Sequence, residues 1–164
     1  MSNLDFSKYL SYDPKTGILR WIVNRRGHVK SGDVAGSPHN RGYVHIGISG
    51  KCYLAHRIAL SMSGLNVGPK DQVDHINGIR NDNRLSNLRI ATHAENCHNA
   101  SRRKDNTSGY KGVGFSNKRQ KWRARIRKDN KEIWLGYFAT AEEAHAAYLK
   151  AAAALHGDFA KLED

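Results

Sequence analysis

Residues 74–99 hold six asparagines and three histidines in 26 positions, and this stretch constrains the fold more than any other segment. Two short extended runs, residues 72–76 and 88–91, flank repeated Asn, Asp and Gly turn signals and predict two strands. A Thr-x-x-Glu capping box at 92–95 then predicts a helix over 93–100. Because Asn is mainly a turn residue, a loop-rich connector is the alternative.

The residues before this stretch predict strands followed by a helix. Residues 17–23 predict a strand after a DPKTG turn, and residues 42–49 alternate between apolar and polar side chains. Gly50 favours a hairpin turn after this second strand. A helical pattern then covers residues 55–62 and ends at Gly64.

Residues 109–164 predict a second unit made of three strands and one helix. The runs YKGVGF, KWRARIRK and EIWLGYF predict the strands, because turn residues separate them. Thr140 and Glu143 form a capping box for the helix, and Gly157 suits its end. Five helical side chains are expected to face the sheet: Ala144, Ala147, Tyr148, Ala151 and Leu155.

The sequence therefore predicts an α+β chain of two domains. Residues 1–100 are expected to form the first, with a strand–strand–helix core at about 71–100, and residues 109–164 the second. The polar, basic segment 101–108 between them is expected to be a linker. With 39% hydrophobic residues, the cores of both domains are expected to be thin.

Charge and composition favour a polyanion as the partner. A net charge of +12 and a pI of about 9.9 are typical of nucleic-acid-binding proteins, although ribosomal and membrane-surface proteins share them. No run reaches the roughly 18 apolar residues that span a bilayer, and the N-terminal residues lack a signal-peptide pattern. Two cysteines without CxxC spacing argue against a disulfide framework and a cysteine-rich zinc site. A cytoplasmic protein without a membrane partner is the simplest expectation.

Much of the positive charge lies in the second predicted domain and the segment before it. Residues 101–137 carry twelve Lys or Arg and three Asp or Glu. Within the run WRARIRK apolar and basic residues alternate, so one strand face is expected to carry three guanidinium groups: Arg123, Arg125 and Arg127. Such a face can bind phosphates or guanine edges, whereas a merely solvated face usually mixes charges of both signs.

The segments LAHRIAL, DHINGIRNDNRLSNLR and HAENCHN resemble the HNH homing endonucleases, and Asp-His, Asn and Asn follow that family's spacing of 11 and 8 intervening residues. The resemblance covers roughly residues 10–100 and is strongest to phage and intron-encoded members. It implies a ββα-metal fold in which Asp74 and Asn96 bind a divalent cation. It also implies that His75 is the general base and that Asn87 bridges the two loops and holds this histidine in place. Many members have His where this chain has Asn96.

The chemistry agrees with that implication. Mg²⁺ or Mn²⁺, one per active site, is satisfied by few protein oxygens and neutralises charge on a phosphate. A histidine with a pKa of about 6.5 is mostly neutral at about pH 7 and can take a proton from water. A zinc site at His93 and Cys97 is a less favoured alternative, because no second ligand pair follows. The other asparagines are expected to be turn or surface residues: Asn77, Asn81, Asn83 and Asn99.

A second resemblance covers about residues 107–162, where GYKGVGF, KWRARIR and IWLGYFATAEEA are similar to the plant APETALA2/ethylene-response-factor DNA-binding domains. That family lays a three-stranded sheet in the major groove with a helix behind it. The resemblance implies four DNA contacts: Lys111, Arg125, Arg127 and Trp134. The strand alternation adds Arg123, and Trp134 is alternatively a structural residue. Gly114, Ser116 and Glu132 stand where the plant domains commonly carry arginine, so the plant target sequence is not carried over.

Together these features predict a DNA endonuclease of phage or mobile-element origin that a C-terminal sheet targets to double-stranded DNA. It is expected to act as a monomer or homodimer on DNA, without a small-molecule cofactor, in the cytoplasm of a bacterial host cell. The alternative is a sequence-specific DNA-binding regulator with an inactive nuclease domain. The intact Asp74-His75 pair with Asn96 favours the enzyme, because a pure binder does not need these three residues together.

Overall fold

The structure is a computed structural model that describes residues 4–100, 105–129 and 131–160. Contacts between residues divide the chain into two compact units, Met1–Thr92 and His93–Asp164. Helices and small antiparallel sheets occur in both units, so the chain has the predicted α+β character. Part of the predicted linker, residues 101–104, lies outside the described residues. No helix in the described ranges is long and apolar enough to cross a membrane.

The first unit consists of short strands and helix α1 (Ala55–Met62), which has the bounds expected from the sequence. Its strands are β1 (Leu10–Tyr12), β2 (Leu19–Trp21), β3 (Ser37–Pro38), β4 (Val44–Ile48), β5 (Lys51–Leu54), β6 (Gln72–His75) and β7 (Leu88–Ala91). They form an antiparallel pair β1–β2, a sheet in the order β3–β4–β5, and an antiparallel pair β6–β7. Strand β4 ends before Ser49 and Gly50, because both take the positive φ angles of the predicted hairpin turn.

Helix α1 packs against the strands of the first unit through two hydrophobic clusters. The largest fully buried side chains, each less than 2% exposed, are Leu10, Ile46, Ile48, Ile58 and Leu60. Alternation along β4 puts Ile46 and Ile48 on the buried face, as expected. Ala59 and Leu60 of α1 pack in a second cluster with the strand pair β6–β7. Burial of each such large side chain contributes about 1.5–3 kcal/mol, so this cluster fixes the strands that carry the predicted catalytic residues.

The second unit consists of α2 (His93–Asn99), β8 (Val113–Ser116), β9 (Lys121–Lys128), β10 (Lys131–Phe138) and α3 (Ala141–His156). The three strands form an antiparallel sheet in the order β10–β9–β8, and α3 packs on it. Thr140 and Glu143 make the predicted capping box of α3. Four side chains of this helix are buried: Ala141, Ala144, Tyr148 and Ala152. The predicted stripe is thus confirmed at the buried Ala144 and Tyr148, and Ala151 and Leu155 pack partly buried against the same core. Ala152, which was not predicted, is fully buried.

Candidate active site and nucleic-acid interface

His75 is the last residue of β6 and is only 4% exposed. Its Nε2 lies 3.3 Å from Oδ1 of Asn83, which is itself 5% exposed. The prediction that Asn83 is a turn or surface residue is therefore wrong, and so is the same prediction for the buried Asn99. Turn preference describes the backbone of such a residue, so it gave no signal of a contact between the Asn83 and His75 side chains.

Asn87 closes the loop between β6 and β7 with both ends of its side-chain amide. Its Oδ1 accepts from the backbone N–H of Asn77 at 3.0 Å, and its Nδ2 donates to the carbonyl of Asp82 at 2.8 Å. Its backbone carbonyl also accepts from Ile76 at 2.9 Å. Asn87 thus bridges the loop that carries Asn83, and the role in holding His75 that the family resemblance implies stays a prediction.

Asp82 braces the same loop through its carboxylate. It accepts from Arg84 Nε at 2.8 Å and from Asn77 Nδ2 at 2.8 Å, and it forms a salt bridge with Arg84 Nη2. The hydrogen bonds from Arg84 hold the pKa of Asp82 well below its usual range. Asp82 is therefore ionised at all moderate pH values, and its carboxylate stabilises the loop through Asn77 and Arg84.

Asp74 and Arg89 lie directly opposite each other on β6 and β7. Oδ2 of Asp74 accepts from Arg89 Nε at 2.8 Å and lies 2.7 Å from Arg89 Nη2. The Asp74 side chain is 5% exposed and that of Arg89 is 16% exposed, so water screens this pair weakly. The sequence analysis did not find Arg89, although the antiparallel register of the two strands determines this pairing.

His56 and Tyr43 line the ring of His75. The ring centroids of His56 and His75 are 5.1 Å apart at an interplanar angle of 86°, and Tyr43 lies 5.3 Å from His56. Burial lowers the pKa of His56 to about 3, with the His75 charge as a further cause. Burial also lowers the pKa of His75, against the opposing effects of the Asn83 hydrogen bond and the Asp74 charge. Both rings are therefore neutral near pH 7, which a general base requires.

The donor set of the first unit suits a hard cation with few protein ligands. Asp74 supplies a buried carboxylate, and a carboxylate can bind a cation while it accepts from a guanidinium. The described ranges contain no group of three or more His, Cys, Asp and Glu side chains that could hold a metal. Asn96 lies on α2 in the second unit, and its metal contact stays a prediction.

The sheet of the second unit presents the predicted arginine face to solvent. Arg123, Arg125 and Arg127 are exposed, whereas Ala124 and Ile126 between them are buried. The register places three residues of β10 opposite the arginines: Tyr137 opposite Arg123, Trp134 opposite Arg125, and Glu132 opposite Arg127. Directly opposed residues share one face of a sheet. This face is therefore basic but also carries one acid, since Arg125 pairs with Glu132 at 3.0 Å.

Two exposed aromatic side chains lie among the arginines on this face. Trp134 is 51% exposed and packs edge-on against Tyr137 with ring centroids 4.7 Å apart. Such exposure places Trp134 on the surface and disagrees with the structural alternative. Tyr137 is 43% exposed, and the sequence analysis did not include it. A register shift between Trp134 and Gly136 brings both rings to the same face, and no sequence periodicity predicts such a shift.

Lys111 has a structural contact within the second unit. Its Nζ donates to the backbone carbonyls of His98 at 2.7 Å and Ala100 at 2.5 Å, at the C-terminal end of α2. A cation at that end of a helix satisfies carbonyls that lack helical partners. His98 also stacks on His156 of α3 with ring centroids 3.6 Å apart. The DNA contact expected for Lys111 stays a prediction.

Two family models match parts of the chain. A model described as HNH endonuclease matches residues 53–98, and a model described as AP2 domain matches residues 108–158. The first includes the whole loop between β6 and β7 and ends within α2, and the second includes the arginine face. The chain thus contains an HNH endonuclease domain and an AP2 domain.

Comparisons with single proteins found one partial and one distant similarity. Protein 3.8 of Escherichia phage T7 is 40% identical over 60 residues, which are 37% of this chain and 50% of that protein. The chain therefore spans about half the length of this relative. A solved structure described as DNA binding and cleavage by the HNH homing endonuclease I-HmuI is 20% identical, with a TM-score of 0.44. That match covers 94% of this chain and 88% of the other.

The buried His56 makes stability depend on pH. Its pKa is about 3 in the folded chain, below the ordinary 6.5, so its contribution to stability is present above pH 6.5. That contribution is lost as pH falls from 6.5 toward 3, by up to about 1.4 kcal/mol per pH unit. His56→Phe keeps a ring but cannot take a proton. We expect it to reduce the loss of unfolding free energy at low pH, measured by urea unfolding at several pH values. The exposed His28→Phe is the control, and an equal loss in the parent and His56→Phe would contradict the interpretation.

Proposed function

We propose that this chain, which carries an HNH endonuclease domain and an AP2 domain, is a DNA endonuclease that cleaves a phosphodiester bond with a divalent cation and His75 as the general base. The observation that carries the proposal is the buried His75 beside Asp74, with Nε2 of the histidine engaged by Asn83. A buried, neutral and oriented imidazole next to a carboxylate is the arrangement that proton abstraction from water near a cation requires.

Each residue of the candidate site has a role in this reaction. His75 accepts a proton from the attacking water, and Asn87 holds the loop that positions it. Asp74, together with Asn96 of α2, would hold Mg²⁺ or Mn²⁺. When bound, the cation supplies Lewis-acid neutralisation of charge on the phosphate and the leaving oxygen. Arg89 fixes the Asp74 carboxylate, so this ligand loses little side-chain freedom on binding.

The arginine face supplies the DNA affinity in this proposal. Arg123, Arg125 and Arg127 bind phosphates or base edges of double-stranded DNA, and Trp134 adds an exposed aromatic contact. A metal site that acts on backbone phosphates has little base preference, so base contacts elsewhere must select the target. The match to a protein of phage T7 supports a phage or mobile-element origin. Action in the cytoplasm of a bacterial host is a further part of the proposal. We propose that the chain acts there as a monomer or a homodimer on DNA.

A DNA-binding regulator with an inactive nuclease domain is the second candidate. The contact between Arg89 and Asp74 supports it, because the guanidinium that orients the carboxylate also neutralises part of the charge that would attract a cation. The two candidates differ in one property, cleavage of DNA in the presence of a divalent cation.

Cleavage of supercoiled plasmid tests the proposal. We expect the chain to convert the supercoiled plasmid to nicked or linear DNA in the presence of Mg²⁺ or Mn²⁺. EDTA, which removes the cation, should stop the cleavage. His75→Ala should lower the cleavage rate by about 10²–10⁴-fold, because it removes the general base. Its affinity for DNA should stay within about twofold, since base removal leaves the DNA contacts in place. The exposed His28→Ala is the matched control.

Two results would count against the enzyme. DNA binding by the parent chain without cleavage under any of these conditions would favour the regulator. Loss of binding together with cleavage in His75→Ala would make His75 a structural residue.

The arginine face has its own test. We expect the double variant Arg125→Ala and Arg127→Ala to bind DNA more weakly. The slope of log affinity against log salt should fall in magnitude by up to about 1.8, because DNA releases fewer counterions when two phosphate contacts are missing. Lys150→Ala removes an exposed charge from α3 and should leave both quantities unchanged. Unchanged affinity and slope in the double variant would remove this face from the interface.

A further inference from the structure

Helix α2 belongs to the HNH match by sequence and to the second unit by its contacts. The HNH endonuclease model matches residues 53–98 and ends within this helix, whereas contacts between residues group His93–Asp164, with the AP2 domain, into one compact unit. The helix also carries Asn96, which the HNH resemblance makes a ligand of the divalent cation. The order of α2 therefore bears on the proposed nuclease site, and residues of the AP2 domain contact this helix.

Helix α2 is too short and too polar to be stable by itself. It has seven residues, His93–Asn99, and isolated helices shorter than about 12–15 residues are marginal in water. Of these seven described residues Asn99 alone is buried, and the two apolar side chains, Ala94 and Cys97, are exposed. Apolar burial therefore contributes little to the order of this helix, so polar contacts from neighbouring elements must contribute more.

Lys111 supplies such a contact at the C-terminal end of α2. Its Nζ donates to the backbone carbonyls of His98 at 2.7 Å and Ala100 at 2.5 Å. Carbonyls at this end of a helix lack helical partners and carry partial negative charge. The ammonium group of Lys111 therefore stabilises the end of the helix through both hydrogen bonds and charge.

The AP2 core fixes the position from which Lys111 extends. The next residue, Gly112, has a φ of +74°, and a Cβ at this position would overlap the ring of Tyr148 on α3. Only glycine allows so close an approach at that backbone angle. The carbonyl of Gly112 also accepts from the backbone N–H of Arg125 on β9 at 3.0 Å. The backbone beside Lys111 is therefore held by both the sheet and α3.

The ring of His98 makes a second contact with the AP2 domain. It stacks on His156, the last residue of α3, with ring centroids 3.6 Å apart and an interplanar angle of 17°. The turn Gly157–Phe159 that follows also lies beside α2. Lys111 and His156 both lie within the AP2 match of residues 108–158, so this domain contacts the helix at two separate points.

We propose that the AP2 domain positions α2 as well as binding DNA, with Lys111 and His156 as positioning residues that order this helix and thereby Asn96. The proposal deepens the proposed function and rests on it. It assigns Lys111 a role that differs from the DNA contact expected from the AP2 resemblance. Loss of the Lys111 ammonium group should therefore slow cleavage more than it weakens DNA binding.

Backbone ¹⁵N relaxation of the full chain, without DNA or metal, tests the ordering of α2. In the parent chain we expect order parameters of about 0.85 along α2, as for a rigid backbone. Lys111→Met keeps a side chain of similar length but has no donor, so order parameters in α2 should fall below about 0.6 while those in β9 stay unchanged. Lys111→Arg keeps a charged donor and should retain the order. Lys150→Met, which removes an exposed charge from α3, is the matched control.

Single-turnover cleavage at saturating DNA supplies the second readout. Lys111→Met should lower the rate by about 10–100-fold, because a ligand on a disordered helix binds a cation weakly. The Mg²⁺ concentration for the half-maximal rate should rise, whereas loss of a residue that only stabilises the fold would leave that concentration unchanged. DNA affinity should stay within about twofold, as for a residue outside the interface. Lys111→Arg should recover most of the rate.

Three results would overturn the proposal: a rigid α2 in Lys111→Met, a mobile α2 in the parent chain, or a Lys111→Met variant that loses DNA affinity but keeps its rate at saturating DNA. The last result would make Lys111 a DNA contact. If the parent chain binds DNA but cuts none, the proposed function fails, while the relaxation measurement still decides whether the AP2 domain orders α2. If Lys111→Met does not fold, His156→Ala, which removes the ring stack, decides by the same two measurements.

Discussion

The side-chain amide of Asn87 closes the loop between β6 and β7, and the candidate site depends on this closure. The amide accepts from Asn77 and donates to the carbonyl of Asp82, so a single residue ties both sides of the loop together. A loop so rich in polar residues cannot be held by apolar burial, because it has few apolar side chains to bury. Asparagine suits the task, since its side chain both donates and accepts at one position.

The fixed loop determines what His75 can do. Asp82 is braced by Arg84 and Asn77, and the next residue, Asn83, reaches Nε2 of the histidine. The other side of the loop leads into β7, where Arg89 engages Asp74 across the strand pair. The segment that Asn87 organises thus supplies a partner to the carboxylate and a partner to the imidazole. An unbraced loop would leave both groups free to rotate, and rotation weakens a base and a ligand alike.

Periodicity and capping patterns predicted the elements well, because they report on local backbone preference and on burial of one face. Helix α1, strand β7 and the capping box of α3 follow from such patterns. The same reasoning placed Asn83 on the surface, because turn preference says nothing about the direction of a buried amide. Arg89 and Tyr137 were missed for a related reason, because the position of each side chain depends on strand register. The register of β10 also contains a shift that no sequence pattern predicts. The metal role of Asp74 and Asn96 rests on resemblance and stays a prediction.

The position of the bound cation tests the account most directly. In ¹⁵N-labelled protein bound to a short DNA duplex, a small amount of Mn²⁺ broadens the amide signals nearest to it. The account predicts that signals around Asp74 and His75 and across the strand pair at Arg89 broaden first, and that Asp74→Ala abolishes this pattern. Strongest broadening elsewhere, such as around the exposed Glu142, or a pattern that Asp74→Ala leaves unchanged, would contradict a metal-dependent nuclease site at the end of β6.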